Sequence, residues 1–580
     1  MEDAAGDEGP ESTSGTGGML ASMPAECWQL FVPPGRVIMM RMTSKAVKEK
    51  MDGSCAAVAL RLNVSFWYKA RRSNEAGERA VVLQKVGALA AKYRIGTLGL
   101  SHFGLSSGDF AELEKAIGKC TELKCLELEQ NDFGADLGGL IRIASITSLT
   151  SLNLKQGHNM RINCILSLSD LVTYFPLLSR LCLEGNNIGF AKGPAQATPL
   201  RRELQFLSLK ENWLGVDGLL RVKEVLGQCP GLTHLDLSHN LFDSAEMDAL
   251  AGMFAQCTLL SHLSFEGNDM DHATDADLAL AKALSPLGSL TDLNLQSCRL
   301  GGLLHMGAVL QQSTGLRCLD LEGAMIENTG ATTLAGVLAT CRDLSYLNVA
   351  CNRIRATGTE AIAGALADCP VLIRLNMSDN LIWARGAEAL GAAIGGIKYL
   401  SLSNCGIGAR GCEALLGLGR LDVLDVSGNS MHAQGAAAIA GAGGTWHRLK
   451  SLSMSSNVLG ASGMHAVVGV LERYKTLTSL SLSSNNVQDA GVAILTGGLV
   501  QCPKLEELSL SNNNISDAGA TSLAGVLPRC TALTELFLSY NEKIGAAGMQ
   551  ALREAEEGSD RMLIVNAQQR VWRRVLVRGV

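Results

Sequence analysis

Apolar and polar positions along this chain follow one repeated phrase, written most clearly at Leu232-Thr-His-Leu235-Asp-Leu237-Ser-His-Asn240-Leu-Phe242. An aliphatic residue opens it, leucines occupy the fourth and sixth places, Asn the ninth and an apolar residue the eleventh. The opening residue recurs at Ile95, Leu123, Leu149, Leu178, Leu204, Leu232, Leu260, Leu290, Leu316, Leu344, Leu372, Ile397, Leu421, Leu449, Leu477, Leu505 and Leu533, most often 28 residues apart. Side chains alternate along a strand, so the fourth and sixth places predict a short strand with leucines on one face and the third, fifth and seventh places on the other. After the Asn, stretches such as Asp517-Ala-Gly-Ala-Thr-Ser-Leu523-Ala-Gly-Val-Leu527 open on an acid and space apolar residues at helical intervals. A single such unit buries little. Stacking copies about 4.8 Å apart joins the leucines into one core, which is why units of this kind are stable only in arrays.

This pattern resembles the leucine-rich repeat, and its long period resembles the ribonuclease-inhibitor class, over about residues 95–545. The resemblance implies an α/β solenoid, a horseshoe of about 17 repeats with a parallel inner sheet and outer helices. The Asn ladder (131, 186, 212, 240, 268, 352, 380, 429, 457, 485, 513, 541) is expected to bond backbone groups of its own and neighbouring turns. Cys298, Ala324 and Cys405 replace Asn, the third copy breaks at Gly157-His-Asn-Met160, and the steps on either side of Ile397 shrink to 25 and 24 residues. Bends or loosened packing are expected there.

At 580 residues the chain would suggest several domains, but a solenoid lengthens without widening its core, so one long domain and one small one are expected. A net charge of −6 and 4% aromatic residues argue against a nucleic-acid partner held by a basic field. No apolar run is long enough to span a membrane, and the acidic start from Met1 to Pro10 is unlike a signal or transit peptide. Residues 1–18 are expected to be a disordered tail. Cys120, Cys229, Cys257, Cys341, Cys369, Cys502 and Cys530 each stand three places before a repeat's first residue, where a small thiol suits a buried corner. These positions predict reduced thiols in the cytosol or nucleus, with the sequons at Asn63, Asn376 and Asn514 unused.

The segment 19–55 breaks the pattern. Pro24, Trp28 and Phe31 precede a Pro33-Pro-Gly break, and a helix is expected to carry Met39, Met42 and Val47 on one face. With Met23, Glu26, Arg41 and Thr43-Ser-Lys45, these residues resemble an F-box, although the part before Pro33 is several residues shorter. That resemblance implies that Pro24, Trp28, Phe31, Pro33, Met39, Met42 and Val47 bind the adaptor subunit of a cullin-type ubiquitin ligase, helix in groove. The same segment also reads as the cap that a solenoid's first strand requires. Residues 56–94 are expected to form a connecting strand and helix, and 546–580 a C-terminal cap with a closing strand at Met562–Asn566.

Third, fifth and seventh places of neighbouring copies share the open face. His234, Asp236, His262, Glu266, Asp292, Asn294, Asp320 and Glu322 make an acidic strip there, followed by Tyr346, Asn348, Arg374 and Tyr399. Like charges on adjacent strands cost stability, so the strip is read as the binding site for a protein with a basic surface. Beyond Leu449 this face is largely serine. No phosphate loop, nucleophile elbow or zinc-protease motif occurs, and the histidines near Asp236 lack the fixed surroundings of a metal site, so neither an enzyme nor a cofactor nor a metal is expected. The function expected is substrate recognition for a cullin-type ligase. The alternative is a repeat scaffold or regulator without ubiquitin, inhibitor-like or similar to the GTPase-activating repeat proteins.

Overall fold

The structure, a computed structural model, describes residues 39–42, 58–63, 75–92, 95–131, 143, 148–155, 175–186, 203–227, 229–242, 244–268, 276–442, 446–557 and 564–566. It divides into two compact units, Met1–Leu260 and Ser261–Val580.

Each unit is built on the expected short strands, paired in parallel. In the first unit the strand Val58–Asn63 is followed by Ile95–Gly99, Cys125–Glu127, Ser151–Asn153, Arg180–Cys182, Phe206–Ser208 and His234–Asp236, each paired with the next. The second unit runs from His262–Ser264 through Asp292–Asn294, Cys318–Asp320, Tyr346–Asn348, Arg374–Asn376 and Tyr399–Ser401 to Ile564–Asn566. Register is residue for residue, so Leu263, Leu293, Leu319, Leu347 and Leu375 stack in one row, none more than 2% exposed. Burying a leucine side chain stabilises by roughly 1.5–3 kcal/mol. A row of leucines is therefore the main force holding neighbouring copies together.

Helices follow the strands. Ala356–Leu366, for example, buries Gly358, Thr359, Ile362, Ala363 and Leu366. Their first turns are stitched to the preceding helix by an acid or amide: Asn328 Oδ1 accepts from Arg355 and Gly358 N–H, and Asp517 Oδ1 from Gly545 and Gly548 N–H. Asp489 does the same for Ser516 and Gly519. Burial alone would raise its carboxyl, but these bonds and the Ser516 hydroxyl outweigh burial and hold it below its ordinary value. Helix N-termini carry unmatched N–H groups, and here the neighbouring repeat supplies their acceptor.

The Asn ladder closes the turns on the other side. Asn380 Nδ2 donates to Val349 O at 2.9 Å and Met377 O at 2.9 Å, while its Oδ1 accepts from Asn352 and Ile354 N–H. Copies that depart from Asn keep the strand register and stay packed: Cys298, Ala324 and Cys405 are all 0% exposed. The thiols of Cys298 and Cys405 donate to Phe265 O and Met377 O, both at 3.2 Å, in place of the amide. Three of these turns close on themselves, with Asn268 N–H to Phe265 O at 3.4 Å, Cys298 N–H to Leu295 O at 3.3 Å and Ala324 N–H to Leu321 O at 3.2 Å. The expectation of loosened packing at these copies is corrected accordingly. The break at 157–160 lies outside the described residues.

One further correction follows. Met39–Met42, expected on a helix, is a strand antiparallel to Val58–Asn63, with Met40 opposite Leu62 and Met42 opposite Leu60. A strand there satisfies backbone groups that the edge of Val58–Asn63 would otherwise leave unpaired. The rest of 19–55 lies outside the described residues. At the 24-residue step after Ile397 the chain shortens its helix to Gly408–Ala414, ending in a tight turn at Leu415–Gly417. Gly391 allows this: a Cβ there would collide with Ala414 O.

Candidate functional site

Strand pairing decides which side chains share the open face. In the first unit, Arg180, Phe206 and His234 are neighbours at the third place. The Arg180 guanidinium lies 3.5 Å over the Phe206 ring, and the rings of Phe206 and His234 are 6.1 Å apart. His234 Nδ1 is 2.8 Å from Thr233 Oγ1. Asp236 Oδ1 accepts from the N–H and hydroxyl of Ser238 at 3.0 and 2.6 Å. Of the residues expected to bind a partner, His234 and Asp236 belong to this unit.

The others lie in the second unit, where His262, Asp292, Cys318, Tyr346, Arg374 and Tyr399 stand in register along six strands. His262 Nε2 is 3.1 Å from Asp292 Oδ2, which also accepts from Thr291 Oγ1 at 2.6 Å. Burial first, and then the hydrogen bond to Asp292, push the Cys318 thiol up to about 11, so it keeps its proton at neutral pH. Tyr346 donates its hydroxyl to Asp320 Oδ2 at 3.1 Å, and Asn348 Nδ2 bridges Asp320 Oδ2 and Glu322 Oε2 at 3.0 Å each. Burial and the Asp320 charge raise the Tyr346 phenol to about 12. Asn294 Nδ2 reaches Glu266 Oε2 at 3.4 Å, and the Arg374 guanidinium lies 4.5 Å over the Tyr399 ring.

The fifth place has a local duty that the sequence pattern does not announce. Asn294, Asp320, Asn348, Asn376 and Asp425 each accept, through Oδ1, from the backbone N–H two residues on, at 2.9–3.1 Å. This is an Asx turn ending each strand, for which Asp and Asn are interchangeable. Asp320 is thus part of the fold as well as of the face. Asp292 at the third place and Glu266 and Glu322 at the seventh add further negative charge to the face.

The serine stretch is tied together rather than bare: Ser427 to Ser453, Ser455 to Ser481 and Ser483 to Ser509 are hydroxyl pairs at 2.7 Å. Three groups on the open face escaped the sequence reading. They are Phe206 under the Arg180 guanidinium, the in-register Glu507 and Glu535, and Phe537 on the same strand as Glu535. Third and fifth places could have found all of them. Pro24, Trp28, Phe31, Pro33 and Val47 lie outside the described residues, and Met39 and Met42 are placed only as backbone of their strand.

Among the described residues, no group of three or more His, Cys, Asp or Glu could hold a metal ion, and no helix is long and apolar enough to cross a membrane. Among the described residues no disulfide is formed, and burial raises the thiols of Cys120, Cys257 and Cys369 to about 11.

Segments 340–363, 397–416, 475–493, 501–524 and 529–552 match the Leucine Rich repeat family. Each segment from 397 onward takes in one of the three-residue strands and the turn after it, in the same register as the rest of its sheet. The chain carries leucine-rich repeats folded as an α/β solenoid, the architecture of a protein-interaction scaffold.

Proposed function

We propose that this scaffold binds a protein with a basic surface on the open face of the Ser261–Val580 unit, at His262, Glu266, Asp292, Asn294, Asp320, Glu322, Tyr346, Asn348, Arg374 and Tyr399. The observation that carries the reading is the row in which Asp292, Tyr346, Arg374 and Tyr399 stand within five consecutive strands. Aromatic and arginine side chains are the types that anchor interfaces, and carboxylates beside them favour a cationic partner. The full outer helices, such as Gly460–Arg473, support placement in the ribonuclease-inhibitor class.

Two readings of 19–55 follow. As the substrate receptor of a cullin-type ubiquitin ligase, the chain would hold its adaptor through the Pro24, Trp28, Phe31 and Pro33 pattern. As a regulator without ubiquitin, inhibitor-like or GTPase-activating-like, it would use the segment as a cap, and the pairing of Met39–Met42 with Val58–Asn63 favours this. Pull-down of a cullin and its adaptor by the full chain, against a Trp28→Ala/Phe31→Ala full chain, separates them. Recovery by the wild type alone supports the receptor, and recovery by neither supports the cap.

A further inference from the structure

A different surface, on the loops leaving the sheet, combines exposed apolar and cationic groups. Trp383 opens the helix Trp383–Ala393 with φ +57°, a left-handed backbone. Gly408 and Gly460 hold the equivalent place in other repeats. A bulky residue there costs stability that glycine would not. Its side chain gains only partial burial in return, being 54% exposed, with Leu381 42% exposed two residues before it.

The neighbouring loops shape a notch around this pair. On one side Leu381 N–H donates to Ile354 O at 2.8 Å, which sets Arg353 and Arg355 beside Leu381 and Trp383. The Arg353 side chain is 69% exposed, and Glu327, 4.0 Å away, is at the limit of an ion pair with it. Arg355 is exposed as well. On the other side the Trp383 ring lies over Gly406, where a Cβ would stand 3.1 Å from Cε3, and a Cβ at Gly408 would meet open space. The indole therefore presents an edge to a shelf without side chains, next to two arginines whose charge Glu327 only partly offsets.

From these placements we infer that the loop surface formed by Arg353, Arg355, Leu381 and Trp383 docks an acidic segment of a protein partner carrying one large apolar side chain. That side chain fills the shelf against Trp383 and Leu381. Carboxylates on either side of it pair with Arg353 and Arg355, since guanidinium groups take carboxylates in bidentate fashion. Tryptophan and arginine are also the residues that dominate binding energy at interfaces. This surface is separate from the acidic open face and has the opposite charge preference, so one can fail without the other.

Selection of a displayed library of random dodecapeptides on the immobilised full chain tests it. Wild type should enrich peptides with aspartate or glutamate flanking an aromatic or large aliphatic residue. Trp383→Gly, which suits the left-handed backbone, should weaken the enriched peptides at least about tenfold, and so should Arg353→Glu/Arg355→Glu on the exposed loop. Asp292→Lys/Glu322→Lys, on the open face, should leave them unchanged. No enrichment, enrichment of peptides without acids, or equal binding by Trp383→Gly and the arginine variant would overturn the inference.

Discussion

Tyr346 donates its phenolic hydroxyl to Asp320 across two neighbouring strands, at 3.1 Å. The bond joins the aromatic part of the open face to its acidic part and leaves Asp320 accepting from Glu322 N–H, Asn348 and Tyr346 together. A carboxylate so bound is fixed in place before any partner arrives.

Removing that donor should cost little and leave a spectroscopic trace. Tyr346→Phe is expected to destabilise by about 0.5–1.5 kcal/mol, because Asp320 keeps two donors. The folded phenol is pushed up to about 12 from the ordinary tyrosine value of 10.0, so the proton is held more tightly in the folded state. The stabilisation it brings is complete below about pH 10 and is lost as pH rises toward 12. Ultraviolet titration of phenolate absorbance, wild type minus variant, should show one tyrosine with its midpoint near 12. A midpoint near 10 would mean that the hydroxyl faces water.

Leu347 lies in the middle of Tyr346–Asn348 and is 0% exposed. Leu347→Asp buries a carboxylate without a partner, at a cost of several kcal/mol, and should unfold neighbouring copies first, because each copy rests on the next. Circular dichroism should show partial loss of helix and a lowered first transition. Unchanged melting would contradict the register.

Asn380 serves donors and acceptors in two turns at once. Asn380→Ala leaves several buried backbone groups unmatched and should cost roughly 3 kcal/mol or more. Asn380→Cys should fall between alanine and wild type in chemical denaturation, since the Cys405 thiol makes the equivalent donation to Met377 O.

Charge on the open face should govern association more than stability. With the partner captured by the full chain, Asp292→Lys/Glu322→Lys should slow binding sharply, and rising salt should slow the wild type, because screening acts over about 8 Å at physiological ionic strength. Ser481→Lys and Ser509→Lys should change the rate little. The opposite ranking in stopped-flow measurements would move the contact to the serine region.

Thiol reactivity should follow burial. Among the described cysteines, Cys351 is exposed, whereas corner thiols such as Cys257 and Cys369 are buried and raised to about 11. Brief iodoacetamide treatment of the folded protein, read by mass spectrometry, should modify Cys351 before either corner thiol, with the corners reacting after denaturation. Early labelling of Cys257 would show that its corner opens readily.

The repeat itself was legible in one dimension because its causes are local and periodic. Leucines at the fourth and sixth places must face one way on a strand, and an Asn at the ninth can close only the turn it stands in and the turns beside it. Period and register therefore followed from spacing, as Leu347 and Asn380 show. What spacing could not decide was how each polar side chain is used once a neighbouring strand lies beside it. Asp320 and Asp292 look alike in the sequence, yet one caps its strand and takes a tyrosine, while the other pairs with His262. Those bonds depend on rotamers and on which residue the next strand brings alongside. Met39–Met42 shows the same limit: its own pattern is compatible with a helix, but the unpaired edge of Val58–Asn63, distant in sequence, makes it a strand.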